Sequence, residues 1–365
     1  MKKILVVSGA SGGHIFPALA FIQGLKDKKD AAEILLVLPV NSVVRREIEL
    51  LNVKVKYVAI FSLKPSLKIK NLLNVLKTFK SSLEAARDVL NFRPDLVVGF
   101  GSITSVAFVF WGWLFRANTL IHEQNVVPGA ATVFLSYFAD KIAVSFEGTK
   151  GYLTFSRSKV AFTGNPLRKD LVILPQQEAL SYFGFSACKF TILVSGGSQG
   201  SSSINSAFIS FLKECKFCAK LQVIHICGAN DYAFLQEEYK SLNIEYKLFS
   251  YFDKMHYAYS ASCFSVARSG AMTISELIRY KLPAVLVPYP YARCHQKANA
   301  QVLAQCGACS IVQDCDLSAL VLNQIIEPLV CSEENLLKMR QSYQPLASID
   351  ALGNMIRLAD SFFLP

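Results

Sequence analysis

The same local pattern begins each half of this 365-residue chain and constrains the fold more than any other feature. A short β-rich run, Ile4–Val7, leads into the glycine-rich segment Ser8–His14, and helix-like apolar spacing follows. Much later, Phe190–Val194 leads into Ser195–Gly200, and again a helix-like stretch follows. A strand, a glycine loop and a helix at the start of each half predict two tandem doubly wound α/β domains.

Further short apolar runs, separated by helix-like stretches, continue this pattern and predict a mostly parallel sheet in each domain. We place the boundary at Gly164–Pro166, a turn signal after the strand-like run Val160–Phe162, so that the first domain covers 1–164. Ligands of doubly wound folds bind at the carboxyl ends of the strands, which predicts a site in the cleft between the domains. The other predicted strands are Ile34–Leu38, Leu96–Val98, Thr119–His122, Lys141–Val144, Leu221–Ile226, Cys263–Val266 and Ala284–Val287.

Composition excludes a disordered or low-complexity chain, because 52% of the residues are hydrophobic and 18% are charged. The net charge of +11 indicates an anionic partner, which the charge alone leaves open among phosphates, nucleic acid and a lipid surface. All ten cysteines lie from Cys188 to Cys331, and we interpret them as reduced cytosolic thiols. Leu96–Phe115 carries no charge, but Gly99–Ser102 interrupts it, which favours a buried strand, a loop and an apolar helix over a membrane span.

Both glycine loops match the pattern G-x-S-x-G, at Gly9–Gly13 and Gly196–Gly200, and neither has the spacing of a dinucleotide fingerprint or a P-loop. One such elbow would be typical of a serine hydrolase. Two elbows half a chain apart favour duplicated anion-binding loops, in which backbone N–H groups at a helix start point at a negative group. Serine hydrolysis stays open as an alternative.

Three other segments hold candidate functional side chains. A third predicted helix start, at Arg268–Ala271, is followed by Thr273 and Glu276. These two residues form an ordinary capping box, or else Glu276 accepts hydrogen bonds from two ribose hydroxyls. His122–Asn125 directly follows a strand and is either an active-site loop or an exposed turn. His14, at a predicted helix start, is expected to be mostly neutral and able to accept a proton, or else it anchors the loop.

Asp314–Asp316 spells D-x-D, a metal–nucleotide signature in another fold of glycosyltransferases. Here we expect it to cap a helix that begins around Leu317, and we predict no metal site.

Six motifs, taken in order, resemble the MurG family, the bacterial N-acetylglucosaminyltransferases that convert lipid I to lipid II in peptidoglycan synthesis. They are Gly12–His14, His122–Asn125, Gly164–Arg168, Gly196–Gly200, Arg268–Glu276 and His295–Ala300. The resemblance covers nearly the whole chain. It implies a GT-B fold, with two Rossmann-like domains facing across a cleft. The first, 1–164, would face the acceptor and the membrane, and the second, 165–345, would bind UDP-N-acetylglucosamine (UDP-GlcNAc). A helix over about 346–365 would pack back on the first.

The resemblance also implies a donor site. In it the backbone of Phe252 would contact uracil beside Tyr251, Glu276 would bind the ribose and Ser198 the diphosphate. The loop at 11–13 would also face the acceptor pyrophosphate. The residues that it assigns to UDP-GlcNAc are Ser11, Gly12, Gly13, Asn125, Arg168, Ser198, Phe252, Ala271, Met272, Thr273, Ile274, Ser275, Glu276 and Gln296.

The reaction implied is attack of the muramyl C4 hydroxyl of lipid I on the anomeric carbon, with inversion and release of UDP. Helix-terminal N–H groups would meet the leaving charge, with no metal or other cofactor. We take His14 as the candidate base and Glu123 as the reserve. The chain departs from the family at Ser11, where Thr is usual, and at Gly99–Ile103, where the usual GFGGY reads GFGSI.

Lipid I is anchored in a bilayer, so the resemblance implies peripheral attachment to the cytoplasmic face of the bacterial inner membrane. The stretch from Lys68 to Phe79 is basic and amphipathic, which fits an anionic lipid surface, and Trp111, Trp113 and Phe115 would be aromatic anchors. A core-facing helix with a solvated lysine face would show the same sequence pattern. Other partners implied are cell-wall synthesis proteins, and we expect no nucleic acid. The residues expected to face the membrane are Lys68, Lys70, Leu72, Leu73, Leu76, Lys77 and Phe79.

Two rival functions remain at this point besides the hydrolase. One is another UDP-sugar GT-B enzyme, such as a glycolipid synthase acting on diacylglycerol. The other is a non-catalytic nucleotide or RNA binder, which the basic charge permits but which lacks an RNA-binding signature.

Overall fold

The computed structural model describes residues 2–28, 32–40, 45–59, 69–197, 199–291, 295–346 and 349–364, and of 45–47 and 69–77 the backbone alone. The chain divides into two compact units. Unit 1 comprises 1–168 together with 349–365, and unit 2 comprises 169–348. The division in the structure thus falls four residues after the position that the turn signal indicated.

Each unit is built on one parallel sheet, as the alternating pattern predicts. Among the described residues the sheet of unit 1 has the order β3-β2-β1-β4-β5-β6-β7, and that of unit 2 has the order β10-β9-β8-β11-β12-β13. Every strand pair is parallel. The strands are β1 Lys2–Ser8, β2 Ala32–Pro39, β3 Lys54–Val58, β4 Leu96–Phe100, β5 Asn118–Glu123, β6 Lys141–Val144, β7 Val160–Phe162, β8 Phe190–Ser195, β9 Leu221–Ile226, β10 Glu245–Phe249, β11 Phe264–Ala267, β12 Ala284–Leu286 and β13 Cys309–Ile311.

Helices connect the strands, because parallel strands need crossover connections. Of the helices in the described residues, none is long and apolar enough to cross a bilayer. The helices are α1 Gly12–Asp27, α2 Arg45–Leu50, α3 Ile69–Phe92, α4 Ser102–Leu114, α5 Ala130–Leu135, α6 Gln176–Phe183, α7 Ser202–Glu214, α8 Tyr232–Lys240, α9 Met255–Ala261, α10 Ala271–Tyr280, α11 His295–Gln305, α12 Ala319–Cys331, α13 Glu333–Gln341 and α14 Ala351–Asp360.

The core of unit 1 lies on both faces of its sheet. On one face β1, β2 and β4 pack against α1, and the chain's last helix, α14, completes this cluster with Met355 and Ile356. The packing of α14 on α1 is tight at Gly24, where a Cβ atom would lie 2.5 Å from Ile356 Cδ1. The last helix of the chain therefore belongs to the first unit. It begins at Ala351, after the N-cap Asp350, rather than at the expected 346.

Unit 2 has its own apolar core, in which the strands pack against α7, α8 and α12. A buried polar network adjoins it. His225 is fully buried on β9, with Nδ1 2.9 Å from the Tyr239 hydroxyl and Nε2 3.0 Å from Asn205 Oδ1. Asn205 Nδ2 donates to Cys227 O at 2.9 Å and to Asp231 at 2.7 Å. Burial lowers the pKa of His225 to about 3, so this imidazole stays neutral.

The expectation that Asp314–Asp316 caps the following helix is wrong. These residues form a 3₁₀ turn, and α12 begins at Ala319 with Ser318 as its N-cap. The Ser318 hydroxyl accepts the N–H of Val321 at 3.3 Å. Asp314 instead pairs with Arg268, whose Nη1 lies 2.5 Å from Asp314 Oδ1.

The strand order of each sheet reverses at one point, and this point locates the candidate site. In unit 1 the reversal lies between β1 and β4, and in unit 2 between β8 and β11. Loops that leave the carboxyl ends of the strands on either side of such a switch point diverge and leave a crevice for a ligand. Each of the glycine-rich segments at 9–13 and 196–200 leaves a strand that borders such a point.

Candidate active site

The first loop of unit 1 places His14 on the first turn of α1. Ser11 is the N-cap of this helix, and its carbonyl accepts the N–H groups of His14 and Ile15, each at 3.0 Å. The Ser11 hydroxyl lies 2.8 Å from His14 Nδ1. Gly12 and Gly13 follow the cap, where backbone N–H groups have no partner within the helix. The sequence therefore builds a helix start that presents N–H donors beside an imidazole.

The second loop of unit 1 packs directly on the first. Gly101, with φ of +72°, precedes α4, and Ser102 also has a positive φ of 71°. A Cβ atom at Gly101 would lie 2.8 Å from His14 Cδ2 and 3.0 Å from His14 Nε2. One at Gly9 would lie 2.7 Å from Ser102 Cβ. The imidazole of His14 is thus seated against the Gly101 backbone.

Polar residues at the end of β5 complete this edge of the unit. His122 is fully buried, with Nδ1 3.1 Å from Gln124 Nε2 and Nε2 3.3 Å from Gly164 O. Glu123 is 3% exposed and accepts hydrogen bonds from the backbone N–H of Asn125 at 2.9 Å, from Gly129 N at 3.0 Å and from the Thr132 hydroxyl at 2.5 Å. The segment His122–Asn125 is thus the end of β5 and the start of a braced loop, not an exposed turn.

The two histidines of this edge differ in their surroundings. Burial is the main reason that the pKa of His122 is lowered to about 4; the hydrogen bond to the Gly164 carbonyl opposes this shift, and the nearby His14 adds to it. Burial also lowers the pKa of His14, which the carboxylate of Glu123 partly opposes. Both imidazoles are therefore neutral at pH 7, and His14 is the one that is partly exposed.

In unit 2 the glycine loop is held by close backbone packing. Gly197 and Gly200 have positive φ angles of 85° and 79°. A Cβ atom at Gly200 would lie 2.1 Å from Cys227 O, and one at Gly196 would lie 2.2 Å from Ser201 N. The loop leads into α7, whose N-cap is Ser201. Ser198, the residue assigned to the diphosphate, lies outside the described residues.

The start of α10 lies across the switch point from this loop. Its N-cap is Gly270, so Thr273 is already inside the helix, and the capping box with Glu276 is wrong. Ile274 is fully buried, and the Ser275 hydroxyl donates to Ala271 O at 2.9 Å. The side chain of Ile274 therefore faces the core.

Two side chains of this part of unit 2 are held by neighbours that the sequence did not indicate. Glu276 Oε2 accepts a hydrogen bond of 2.7 Å from the Tyr259 hydroxyl. The side-chain oxygen Oε1 of Gln296 accepts a hydrogen bond from the backbone N–H of Tyr289 at 2.9 Å. The backbone carbonyl of Gln296 accepts one from the Ser269 hydroxyl, also at 2.9 Å. No spacing rule links Tyr259 on α9 to Glu276 on α10, so only the fold reveals this contact.

The remaining predicted residues are more scattered. Phe252 is 9% exposed, and its ring packs 4.6 Å from that of Phe249, so a ligand would meet its backbone. Arg168 lies in unit 1, with its guanidinium 4.8 Å from the centroid of the Phe16 ring. Ser11, Gly12, Gly13 and Asn125 belong to unit 1, whereas Ala271, Met272 and the other α10 residues belong to unit 2.

The predicted membrane-facing stretch is described only in part. Lys68 lies outside the described residues, and Phe79 on α3 is 62% exposed. On α4, Trp113 is 40% exposed and Phe115, which follows it, is 37% exposed. Of five predicted residues on α3 only the backbone is described, namely Lys70, Leu72, Leu73, Leu76 and Lys77.

Comparisons with known proteins give the relationships of the chain. The glycosyltransferase family 28 N-terminal domain matches residues 4–144, and the family 28 C-terminal domain matches residues 191–351. The chain is 32% identical over 98% of both chains to the UDP-N-acetylglucosamine--N-acetylmuramyl-(pentapeptide) pyrophosphoryl-undecaprenol N-acetylglucosamine transferase of Halothermothrix orenii. It is 31% identical to the Bacillus subtilis enzyme of the same name over 97% of both. The crystal structure of Acinetobacter baumannii MurG covers 99% of this chain and is itself wholly covered, with a TM-score of 0.78 and 25% identity.

The chain belongs to the MurG family. Membership accounts for the two Rossmann-like units, since MurG enzymes are GT-B glycosyltransferases of family 28. It also makes the chain a sugar-nucleotide-dependent glycosyltransferase, which removes the serine hydrolase and the RNA binder as alternatives. The two G-x-S-x-G matches are therefore the helix starts of a MurG fold and not nucleophile elbows.

Proposed function

We propose that this chain transfers N-acetylglucosamine from UDP-GlcNAc to the C4 hydroxyl of the muramyl sugar of lipid I, inverting the anomeric carbon and releasing UDP. The observation that carries the proposal is full-length similarity to enzymes named for this transfer, at 31–33% identity. No feature of the described residues favours a diacylglycerol acceptor.

On the donor side, the N-terminus of α7 and the loop at 196–200 would hold the diphosphate. The backbone N–H groups at a helix start attract a negative group, and the positive φ angles of Gly197 and Gly200 let the backbone approach it closely. Such donors stabilise the charge that develops on the leaving UDP, so the step needs no side-chain acid. Glu276, oriented by Tyr259, would accept the ribose hydroxyls.

Gln296 would contact the sugar through its amide NH₂ group, because the N–H of Tyr289 engages its Oε1 atom. The same contact fixes the rotamer of the amide, which would give the site its preference for one arrangement of sugar hydroxyls.

On the acceptor side, His14 would remove the proton from the attacking hydroxyl. Its pKa is lowered by burial, so the imidazole is neutral and competent as a base at pH 7. In the tautomer that donates Nδ1–H to the Ser11 hydroxyl, Nε2 carries the lone pair for the proton. Glu123 is engaged by the donors of Asn125, Gly129 and Thr132, which supports a role in shaping the loop and leaves it as the reserve base.

We further propose that unit 1 attaches peripherally to the cytoplasmic face of the inner membrane, where lipid I is held. Helices α3 and α4 pack together, with Trp111 Nε1 donating to Ser82 Oγ at 3.0 Å. Phe79 and Trp113 expose aromatic surface on this pair of helices, and exposed Lys80 and Arg116 supply positive charge. Exposed aromatic groups beside basic ones suit an anionic lipid surface.

The attachment is tested by co-sedimentation with liposomes that contain phosphatidylglycerol. Changing Phe79 and Trp113 to Glu is expected to leave the protein in the supernatant, as are Lys→Glu changes at 68, 70 and 77. Leu337→Glu, at an exposed leucine of unit 2, serves as the control and should sediment like the wild type. Unchanged sedimentation of both sets of variants would contradict the attachment.

The transfer itself is tested by measuring UDP release from UDP-GlcNAc with either lipid I or diacylglycerol as acceptor. Release that depends on lipid I supports the proposal. Release that depends on diacylglycerol, or no release with either acceptor, would overturn it.

A further inference from the structure

Arg268 directly follows β11, one of the two strands at the switch point of unit 2, and its guanidinium is directed into the protein. The residue is 9% exposed. Its Nη1 atom donates to Val287 O at 3.2 Å and to Pro288 O at 3.4 Å, in the segment that follows β12. The ring of Tyr289, in the same segment, has its centroid 5.5 Å from Arg268 Cζ.

A carboxylate and a hydroxyl from two further elements complete the surroundings of this arginine. Asp314, after β13, places Oδ1 2.5 Å from Arg268 Nη1. Ser203, in the first turn of α7, accepts a hydrogen bond from Arg268 Nη2 at 2.9 Å and donates to Asp314 Oδ1 at 2.7 Å. Three side chains thus close a ring of contacts that joins the segments after β8, β11, β12 and β13.

Both terminal nitrogens of Arg268 are engaged by protein acceptors, so the guanidinium does not reach out as an anion-binding group. A buried arginine without a carboxylate partner is strongly unfavourable, because the charge has lost its hydration. Asp314 supplies that partner, while its own side chain is only 24% exposed. Through Ser203, this pair links the start of α7 to the segment that leads into α10. The starts of these two helices are the ones assigned to the donor.

We propose that Asp314 is a positioning residue for the sugar nucleotide: it holds Arg268 and Ser203 so that the segments around the switch point of unit 2 keep the spacing that a nucleoside diphosphate sugar requires. The inference rests on the proposed function, since it assigns the donor to this unit. Asp314 acts through Arg268 and Ser203, and it does not contact the donor itself.

The test compares Asp314→Asn with Asp316→Asn in the full-length protein. Asp316 is an exposed carboxylate of the same 3₁₀ turn, with no arginine partner among the described residues, which makes it a matched control. Asp314→Asn is expected to raise KM for UDP-GlcNAc, and Kd for UDP in calorimetry, by about tenfold, with KM for lipid I and kcat within about twofold. Asp314→Glu, which keeps the charge, is expected to recover most of the affinity. Asp316→Asn should match the wild type.

Three results would overturn the proposal. The first is that Asp314→Asn binds UDP with the same Kd as Asp316→Asn. The second is that Asp314→Asn loses kcat while its KM for UDP-GlcNAc is unchanged. The third is that Asp314→Glu binds UDP no more tightly than Asp314→Asn. If Asp314→Asn unfolds at the assay temperature, Ser203→Ala replaces it, because this change keeps the ion pair and removes the link to α7. A UDP affinity about threefold weaker supports the proposal, and an unchanged affinity overturns it.

Failure of the proposed function gives a different pattern. A wild type that binds UDP but transfers nothing to lipid I overturns the transfer reaction. The role of Asp314 is then still decided by the UDP affinities of the variants.

Discussion

Replacing Gly101 with Ala tests how the backbone seats His14. Gly101 has φ of +72° and ψ of −172°, a region that residues with a Cβ atom avoid. The added methyl would lie 2.8 Å from His14 Cδ2 and 3.0 Å from Nε2, so the imidazole must move. Moving it breaks the 2.8 Å contact between Nδ1 and the Ser11 hydroxyl.

Two costs add up in this variant. The backbone strain contributes about 1–3 kcal/mol, and the lost hydrogen bond contributes about 0.5–1.5 kcal/mol. The free energy of unfolding should therefore fall by about 1.5–4.5 kcal/mol. Displacing the base by about 1 Å should lower kcat by about a hundredfold.

Gly184→Ala is the matched control. Gly184 also has a positive φ, of 68°, but with ψ of 33°, and nothing lies within 4 Å of its Cβ position. This change should cost about 1–2 kcal/mol of backbone strain and leave kcat unchanged. The assay is N-acetylglucosamine transfer at saturating substrates, with denaturant unfolding measured in parallel. A folded Gly101→Ala protein with kcat within about twofold of the control would refute the seating of His14 by this glycine.

Three further predictions concern single side chains. His14→Ala should lower kcat by about 10²–10⁴-fold; because the pKa of His14 lies below 6.5, the wild-type kcat should fall only at acid pH, and this fall should vanish in the variant. Glu276→Gln should raise KM for UDP-GlcNAc about tenfold with KM for lipid I unchanged, and equal effects on both substrates would contradict a ribose contact. The pKa of His225 is about 3 in the folded protein and 6.5 ordinarily. Between these two pH values only the unfolded chain takes up a proton. The free energy of unfolding of unit 2 should therefore fall by about 1.4 kcal/mol for each pH unit below 6.5. Melting curves from pH 7 to 4 should show this dependence flattened in His225→Asn, and parallel curves would argue against it.

Much of the fold follows from apolar runs, and the strands that the sequence missed share a physical cause. Lys54–Val58, Glu245–Phe249 and Cys309–Ile311 are β3, β10 and β13, and each is an edge strand of its sheet. An edge strand has one neighbour instead of two, so it is less buried and needs no continuous apolar run. In β3 the residues are exposed or partly exposed throughout, so its sequence resembles a loop.

The candidate site could be predicted only at the level of single residues. The sequence placed His14, Glu123 and Glu276 at strand ends and helix starts, because parallel strands in doubly wound folds put polar residues there. It could not pair Arg268 with Asp314, since these residues follow different strands and meet only through the order of the sheet.

Local rules even misassigned some of these residues. D-x-D beside a predicted helix and Thr-x-x-Glu inside one both resemble caps. The structure uses Ser318 and Gly270 as the caps instead, which releases Asp314 to pair with Arg268 and Glu276 to pair with Tyr259.

The central claim is that this chain adds N-acetylglucosamine to lipid I. The direct measurement incubates the purified protein with radiolabelled UDP-GlcNAc and lipid I and follows the label in the butanol-extractable lipid. We expect a disaccharide lipid with a β1→4 linkage to form in step with UDP, and to be strongly reduced with His14→Ala. A label that stays in the aqueous phase, or a lipid product that carries the sugar on another hydroxyl, would contradict the claim.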